Sequence, residues 1–193
     1  MNSRVLYFIL LVALALRLYG IGFEAYHPDE KTVFRMAYTM ALEGKLEPAK
    51  MNYGSLTPYL QAVVLWAIEA IRSLAGRPTP LTLNQGLVTA RCLSALVSTL
   101  TVALTALLAR AALRRTDSEA SGFVPLLAAS LTAVSFLAVQ CAHYSTVDSL
   151  LTFLTTAAVV MAFRAIDADH AMPYLMAVSY THLRAHETKA NLV

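Results

Sequence analysis

Charge is scarce in this sequence. Only 14% of its 193 residues are charged, 58% are hydrophobic, and the mean hydropathy is +0.58. A water-soluble domain carries about a quarter charged residues, so this chain has too little polar surface to cover itself in water. Cysteine is nearly absent. Cys92 and Cys141 each lie inside an apolar run with no partner at metal-ligand spacing, which makes them small core residues. There is no internal repeat and no low-complexity linker, which excludes a solenoid or a string of tethered modules. The net charge is only +3, and Lys and Arg gather at the edges of apolar runs as in membrane proteins. No nucleic-acid partner is expected.

What is present is a set of long apolar blocks, at residues 5–21, 56–74, 87–113, 123–142 and 149–166. Each approaches or exceeds the roughly 20 residues that cross a bilayer. The first block is too long for a signal peptide and lacks a small-residue cleavage site, so it reads as a retained helix. If all five blocks cross, Arg110, Arg114 and Arg115 lie outside, against the positive-inside bias. If residues 56–74 instead rest on the outer surface, Arg4, Arg110, Arg114, Arg115 and Arg164 all become cytoplasmic. Asp29, Glu30 and Asp148 then share the outer face. Within 56–74, Thr57, Gln61, Glu69, Arg72 and Ser73 form a polar stripe opposite Leu60, Val63, Ala67, Ile71 and Leu74. A stripe containing Glu and Arg, though interrupted by Leu65 and Ile68, suits an interfacial helix better than a lipid-facing span. The alternative is a crossing helix with that stripe turned into the protein. The expected fold is therefore all-α: a polytopic transmembrane helix bundle with four crossings and outer-face juxtamembrane helices near 30–43 and 56–74. Gly44 ends the first of these.

The residues able to do chemistry cluster just past the first span, at His27, Pro28, Asp29 and Glu30. Adjacent acids at a membrane face are costly unless paired, metal-bound or used. Asp29 is also a good N-cap for the following helix, and Glu30 complements its dipole. Asp148, after His143, Tyr144, Ser145 and Thr146, is a second acid that either caps its own helix or converges with Asp29. Two converging carboxylates could hold a divalent cation or activate a hydroxyl. Arg17 reads as snorkelling to the interface. Arg91 reads either as snorkelling or as a phosphate ligand, since its donor fork matches a phosphate. Trp66 and the tyrosines near loop ends read as interface anchors.

The order of these features resembles the C-type membrane glycosyltransferases, in the group of protein O-mannosyltransferases and lipid A aminoarabinose transferases. The match covers approximately residues 5–166. It comprises Pro28-Asp29-Glu30 opening an amphipathic helix, the Tyr53-Gly54-Ser55-Leu56-Thr57-Pro58-Tyr59 turn, an Arg91-Cys92-Leu93-Ser94 segment, and Tyr144-Ser145-Thr146-Val147-Asp148. Cys92 stands where the family usually has Leu. The resemblance implies a polyprenyl-phosphate-linked sugar donor, an unspecified acceptor, transfer outside the cytoplasm, and inversion at the anomeric carbon. It implies Asp29 as the base, with Glu30 beside it. Arg91, Asp148, Tyr53 and Tyr144 are then expected to bind donor phosphate or substrate. A divalent metal ion held by Glu30, Asp148 and His27, or an arginine, is expected to stabilise the leaving phosphate. The expected location is a bacterial or archaeal plasma membrane, with lipid around the spans. The competing classes are a transporter or channel fragment and a non-catalytic membrane subunit.

An apolar run starting at 171 stops abruptly at Ser179. Residues 180–193 look like translated adaptor sequence, so residues 1–178 are read as the N-terminal part of the transferase module. On that reading the chain by itself is expected to be inactive.

Overall fold

The computed structural model describes residues 2–44, 54–77, 80–113, 122–166 and 171–188. Among these the chain forms eight helices and no strand. They are α1 (Ser3–Leu18), α2 (Pro28–Glu43), α3 (Leu56–Leu74), α4 (Leu83–Leu113), α5 (Val124–Val134), α6 (Phe136–Ala142), α7 (Asp148–Ile166) and α8 (Met172–Thr188).

Two of these helices, α4 and α7, are long and apolar enough to cross a membrane, and α5 with α6 makes a third if the bent pair is one span. α1 has 16 residues, which at 1.5 Å per residue is about 24 Å, short of the roughly 30 Å hydrocarbon layer. α3 has 19 residues, but Glu69 and Arg72 lie within it, and it is not among the helices apolar enough to cross.

The contacts fix how the helices run. Ile9 and Ala13 of α1 share a buried cluster with Val102 and Ala106 of α4. Arg17 reaches Ser98, and the backbone just past α1 reaches Arg91. Rising numbers on α1 thus meet falling numbers on α4, so the two are antiparallel. Ala129 and Ala133 complete the same cluster from α5, and small side chains there let three helix backbones approach closely. The return of the chain to Arg91 means that residues 26–82 leave and rejoin one end of the bundle.

α2 and α3 pack together at that end. His27 caps α2, its Nδ1 accepting the Asp29 N–H at 3.3 Å, with Pro28 as the first helical residue. Asp29, expected to be the cap, is therefore the second residue of the helix. Pro at the first position fixes φ and loses no intrahelical bond, which moves the start forward. Gly44, left-handed at φ 64°, closes α2 with its N–H on the Met40 carbonyl, as the sequence predicts. Phe34 and Tyr38 approach α4 where Gly86 offers no side chain; a Cβ there would lie 3.1 Å from Tyr38 and 3.2 Å from Phe34.

The first half of the polar stripe of α3 points inward, while Glu69 and Arg72 are half-buried and Ser73 is exposed. Thr57 and Gln61 are buried, whereas Leu60, Val63, Ile71 and Leu74 are exposed. Glu69 accepts the Leu81 N–H, and Trp66 donates to the Ala41 carbonyl at 2.8 Å. Trp66 thus joins α3 to α2 instead of serving only as an interface anchor.

The expected span at 123–142 is broken. Ser135 is extended at φ −57°, ψ 118°, and α6 leaves α5 at 57°. Such a break frees carbonyls of the last turn of α5. Arg17 supplies their donors, to Ala133 at 3.0 Å and Thr132 at 3.3 Å, while also bonding Ala13 and Ser98. The expectation of snorkelling is corrected: Arg17 is fully buried because the broken helix needs its N–H groups. α8 packs along α7 and runs through Ser179 without interruption.

Candidate functional site

Pro28-Asp29-Glu30 opens α2, and successive helical residues point about 100° apart. One acid must therefore turn in when the other turns out. Glu30 turns in and is fully buried. Its Oε1 accepts from Arg91 Nε at 2.8 Å and from the Ser145 N–H at 2.7 Å, and its Oε2 accepts from the second Arg91 terminal nitrogen at 2.8 Å.

Arg91 is saturated. Beyond its two bonds to Glu30 it donates to the carbonyls of Ile21 (3.1 Å), Phe23 (2.7 Å) and Ala25 (2.9 Å). Those five bonds equal the five N–H groups a guanidinium possesses. No donor is left for a phosphate. The Phe23 ring lies 4.1 Å from the guanidinium carbon, a cation–π contact that closes the remaining face. Glu30 and Arg91, expected at the chemistry, instead bind four separate pieces of chain together: residues 21–25, the start of α2, α4, and the loop before α7.

Asp29 turns out. Its side chain is 49% exposed, with Oδ2 3.8 Å from His27 Nδ1, and His27 is 42% exposed. Because His27 Nδ1 accepts the Asp29 N–H, a neutral ring carries its proton on Nε2. The His27 ring is 5.2 Å from that of Tyr144, and Tyr144 meets Phe23 edge-on at 5.5 Å. An aromatic chain thus connects the buried ion pair to the surface.

An open cleft of about 170 Å³ is lined by His27, Gln140, Cys141, Tyr144, Thr146 and Asp148, with Leu137 at its edge. Asp148 is exposed at the first turn of α7, and Thr146 Oγ1 donates to its Oδ2 at 2.7 Å. A second, shallower hollow of about 290 Å³ shares Gln140 and Tyr144 and is otherwise bordered by Phe23, Phe136, Val139 and His143. His143 holds the end of α6 in place, with Nδ1 2.7 Å from the Val139 carbonyl and Nε2 2.9 Å from that of Tyr19.

Of the expected site residues, the structure thus gathers His27, Tyr144 and Asp148 around one opening, and Asp29 is tied to it only through its 3.8 Å approach to His27. Tyr53 lies outside the described residues. The expected metal trio of His27, Glu30 and Asp148 does not fit a cation: both Glu30 oxygens are taken, and among the described residues no group of three or more His, Cys, Asp or Glu could hold one. Gln140 and Phe23 were not anticipated. An amide within an otherwise apolar stretch was the signal available for Gln140.

Comparison with protein-family models, with curated proteins and with solved structures finds no match to this chain.

Proposed function

We propose that this chain carries the catalytic face of a membrane glycosyltransferase that takes a sugar from a polyprenyl-phosphate donor. The observation that supports it best is the division of labour between neighbours: buried Glu30 anchors, while half-exposed Asp29 lies 3.8 Å from His27, which lines a cleft shared with Asp148. An ion pair holding the first turn of α2 also holds Asp29 rigid, which is what a base needs.

In this reading Asp29 takes the proton from an acceptor hydroxyl or amine as that atom bonds to the anomeric carbon. The carbon–oxygen bond to the phosphate breaks on the opposite face, and polyprenyl phosphate leaves with the electron pair. The stereochemistry inverts, as in inverting glycosidases where a carboxylate activates the nucleophile. The leaving phosphate needs donors more than an acid, and His27 Nε2–H and the Tyr144 hydroxyl are the groups assigned to it. Asp148 and Gln140 bind sugar hydroxyls. Neither Arg91 nor Glu30 has a direct role, and no metal ion is required of the described side chains.

The topology proposed is four crossings, with α2 and α3 on the outer face. The crossings are made by α4, the α5–α6 pair, α7 and α1, whose helix of about 24 Å completes its crossing with the turn through Ile21. The return of residues 26–82 to the end where they leave supports this, and so does the outward apolar face of α3. The test is sugar transfer by the full-length gene product in sealed, right-side-out vesicles given labelled polyprenyl-phosphate sugars. Transfer to an external acceptor is the expected result. Ion flux through the same vesicles without transfer would instead favour a transporter.

A further inference from the structure

His143 closes α6, and both of its ring nitrogens face backbone carbonyls: Nδ1 lies 2.7 Å from that of Val139 and Nε2 2.9 Å from that of Tyr19. A carbonyl oxygen only accepts, and a neutral imidazole has one N–H to give. Only the imidazolium form donates to both. The chain leaves these two acceptors at helix ends. The His143 backbone N–H bonds the Gln140 carbonyl at 3.1 Å, so the Val139 carbonyl is left to the ring. Tyr19 is the C-cap of α1, with extended backbone at ψ 121°. The ring therefore sits where two helices finish, and that end of a helix dipole favours a cation.

We infer that His143 is a pH-sensitive clasp between the ends of α1 and α6, closed when the ring carries two protons and released from one carbonyl when it carries one. Arg17 ties α1 to the α5–α6 break with a permanent charge. His143 ties the other end of α6 with a charge that titrates. The other charged and titratable groups around the ring come from five pieces of chain. α1 brings Arg17 and Tyr19, and the turn after it Glu24. α4 brings Cys92 and Arg91, the latter committed to Glu30. α6 and the loop after it bring Cys141 and Tyr144, α7 brings Asp148, and α5 brings none. Among the described residues no carboxylate pairs with the ring, so the two carbonyls carry the dependence on pH. Tyr144, next in the chain, lines both the cleft and the adjoining hollow. Opening the clasp thus moves a wall of both, whatever reaction takes place there.

With the clasp closed the protein holds one more proton than with it open. Low pH therefore closes it, and the stability it adds fades as the pH rises through the range where imidazole titrates, about pH 5–8. Two measurements test this on the full chain in a lipid phase. The first compares the melting temperatures of the wild type and His143→Gln, whose amide does not titrate. The wild type is expected to melt about 2–4 °C higher at the acidic end, the shift of one hydrogen bond at this chain length, and to lose that margin at the alkaline end. The second needs no variant: proton NMR of the wild type carrying isotope-labelled histidine, in which a hydrogen-bonded ring N–H is shielded from solvent exchange and stays visible. Two ring N–H signals are expected from His143 at about pH 5, and one at about pH 8. A margin that is constant or grows with pH overturns the clasp. A single ring N–H signal at the acidic end overturns it too, because one of the two carbonyls then has no donor.

Discussion

At the residue scale, the two adjacent acids of Pro28-Asp29-Glu30 have opposite fates, and a single helical step separates them. Glu30 is enclosed by Arg91 and the Ser145 N–H. Removing one partner of such a pair leaves a buried charge without compensation and costs about 3–5 kcal/mol. Glu30→Ala and Arg91→Ala are therefore expected to unfold at lower denaturant than the wild type. The double variant should be less destabilised than the sum of the two, by about 0.5–3 kcal/mol. Arg91 also holds the carbonyls of residues 21, 23 and 25, so Arg91→Lys should cost nearly as much as Arg91→Ala, because an ammonium cannot reproduce the fork. Equal tolerance of Lys and Arg at 91 would show that the carbonyl contacts carry no weight.

At the scale of elements, two close fits invite tests. Gly86→Leu should force α2 away from α4, since even a Cβ there crowds Phe34 and Tyr38. Overpacking of this kind costs about 1–3 kcal/mol, measurable by equilibrium unfolding in detergent. Arg17→Met should free the carbonyls of Thr132 and Ala133, and amide exchange across residues 132–139 should quicken while α7 keeps its protection. Uniform exchange through both regions would mean that Arg17 does not hold the break. These elements also show how far sequence could reach. The bounds of α3 and the Gly44 stop were legible because amphipathic period and a glycine terminus are local signals. The break at Ser135 was not, because no proline or glycine marks it and its partner, Arg17, lies more than a hundred residues away. The inward stripe of α3 was legible as a stripe, but which face met the protein depended on α2 and α4, against which it packs.

For the whole molecule, the antiparallel pair of α1 and α4 brings the start of α2 and the loop before α7 together at one end. His27, Asp29, Tyr144 and Asp148 could be selected from sequence because polar residues stand out between apolar blocks. Arg91 stands out on the same ground, as a snorkelling residue or a phosphate ligand; the structure commits it to Glu30 and three carbonyls. Four crossings place Glu24 and Arg164, both exposed, on opposite sides. With Cys92 and Cys141 replaced by Ser, Glu24→Cys should react with an impermeant maleimide in intact cells. Arg164→Cys should react only after permeabilisation. Labelling of both in intact cells would mean either an odd number of crossings between residues 26 and 82 or an α5–α6 pair that re-enters without crossing, and would overturn the four-crossing topology in both cases.

The assignment of Asp29 as base is tested most directly by single-turnover sugar transfer in the full-length gene product, comparing wild type with Asp29→Asn. Asn keeps the shape and removes the basic oxygen. The account predicts donor binding unchanged and the transfer rate reduced about 10²–10⁴-fold, the contribution typical of a positioned base. Equal transfer rates in the two proteins would contradict it.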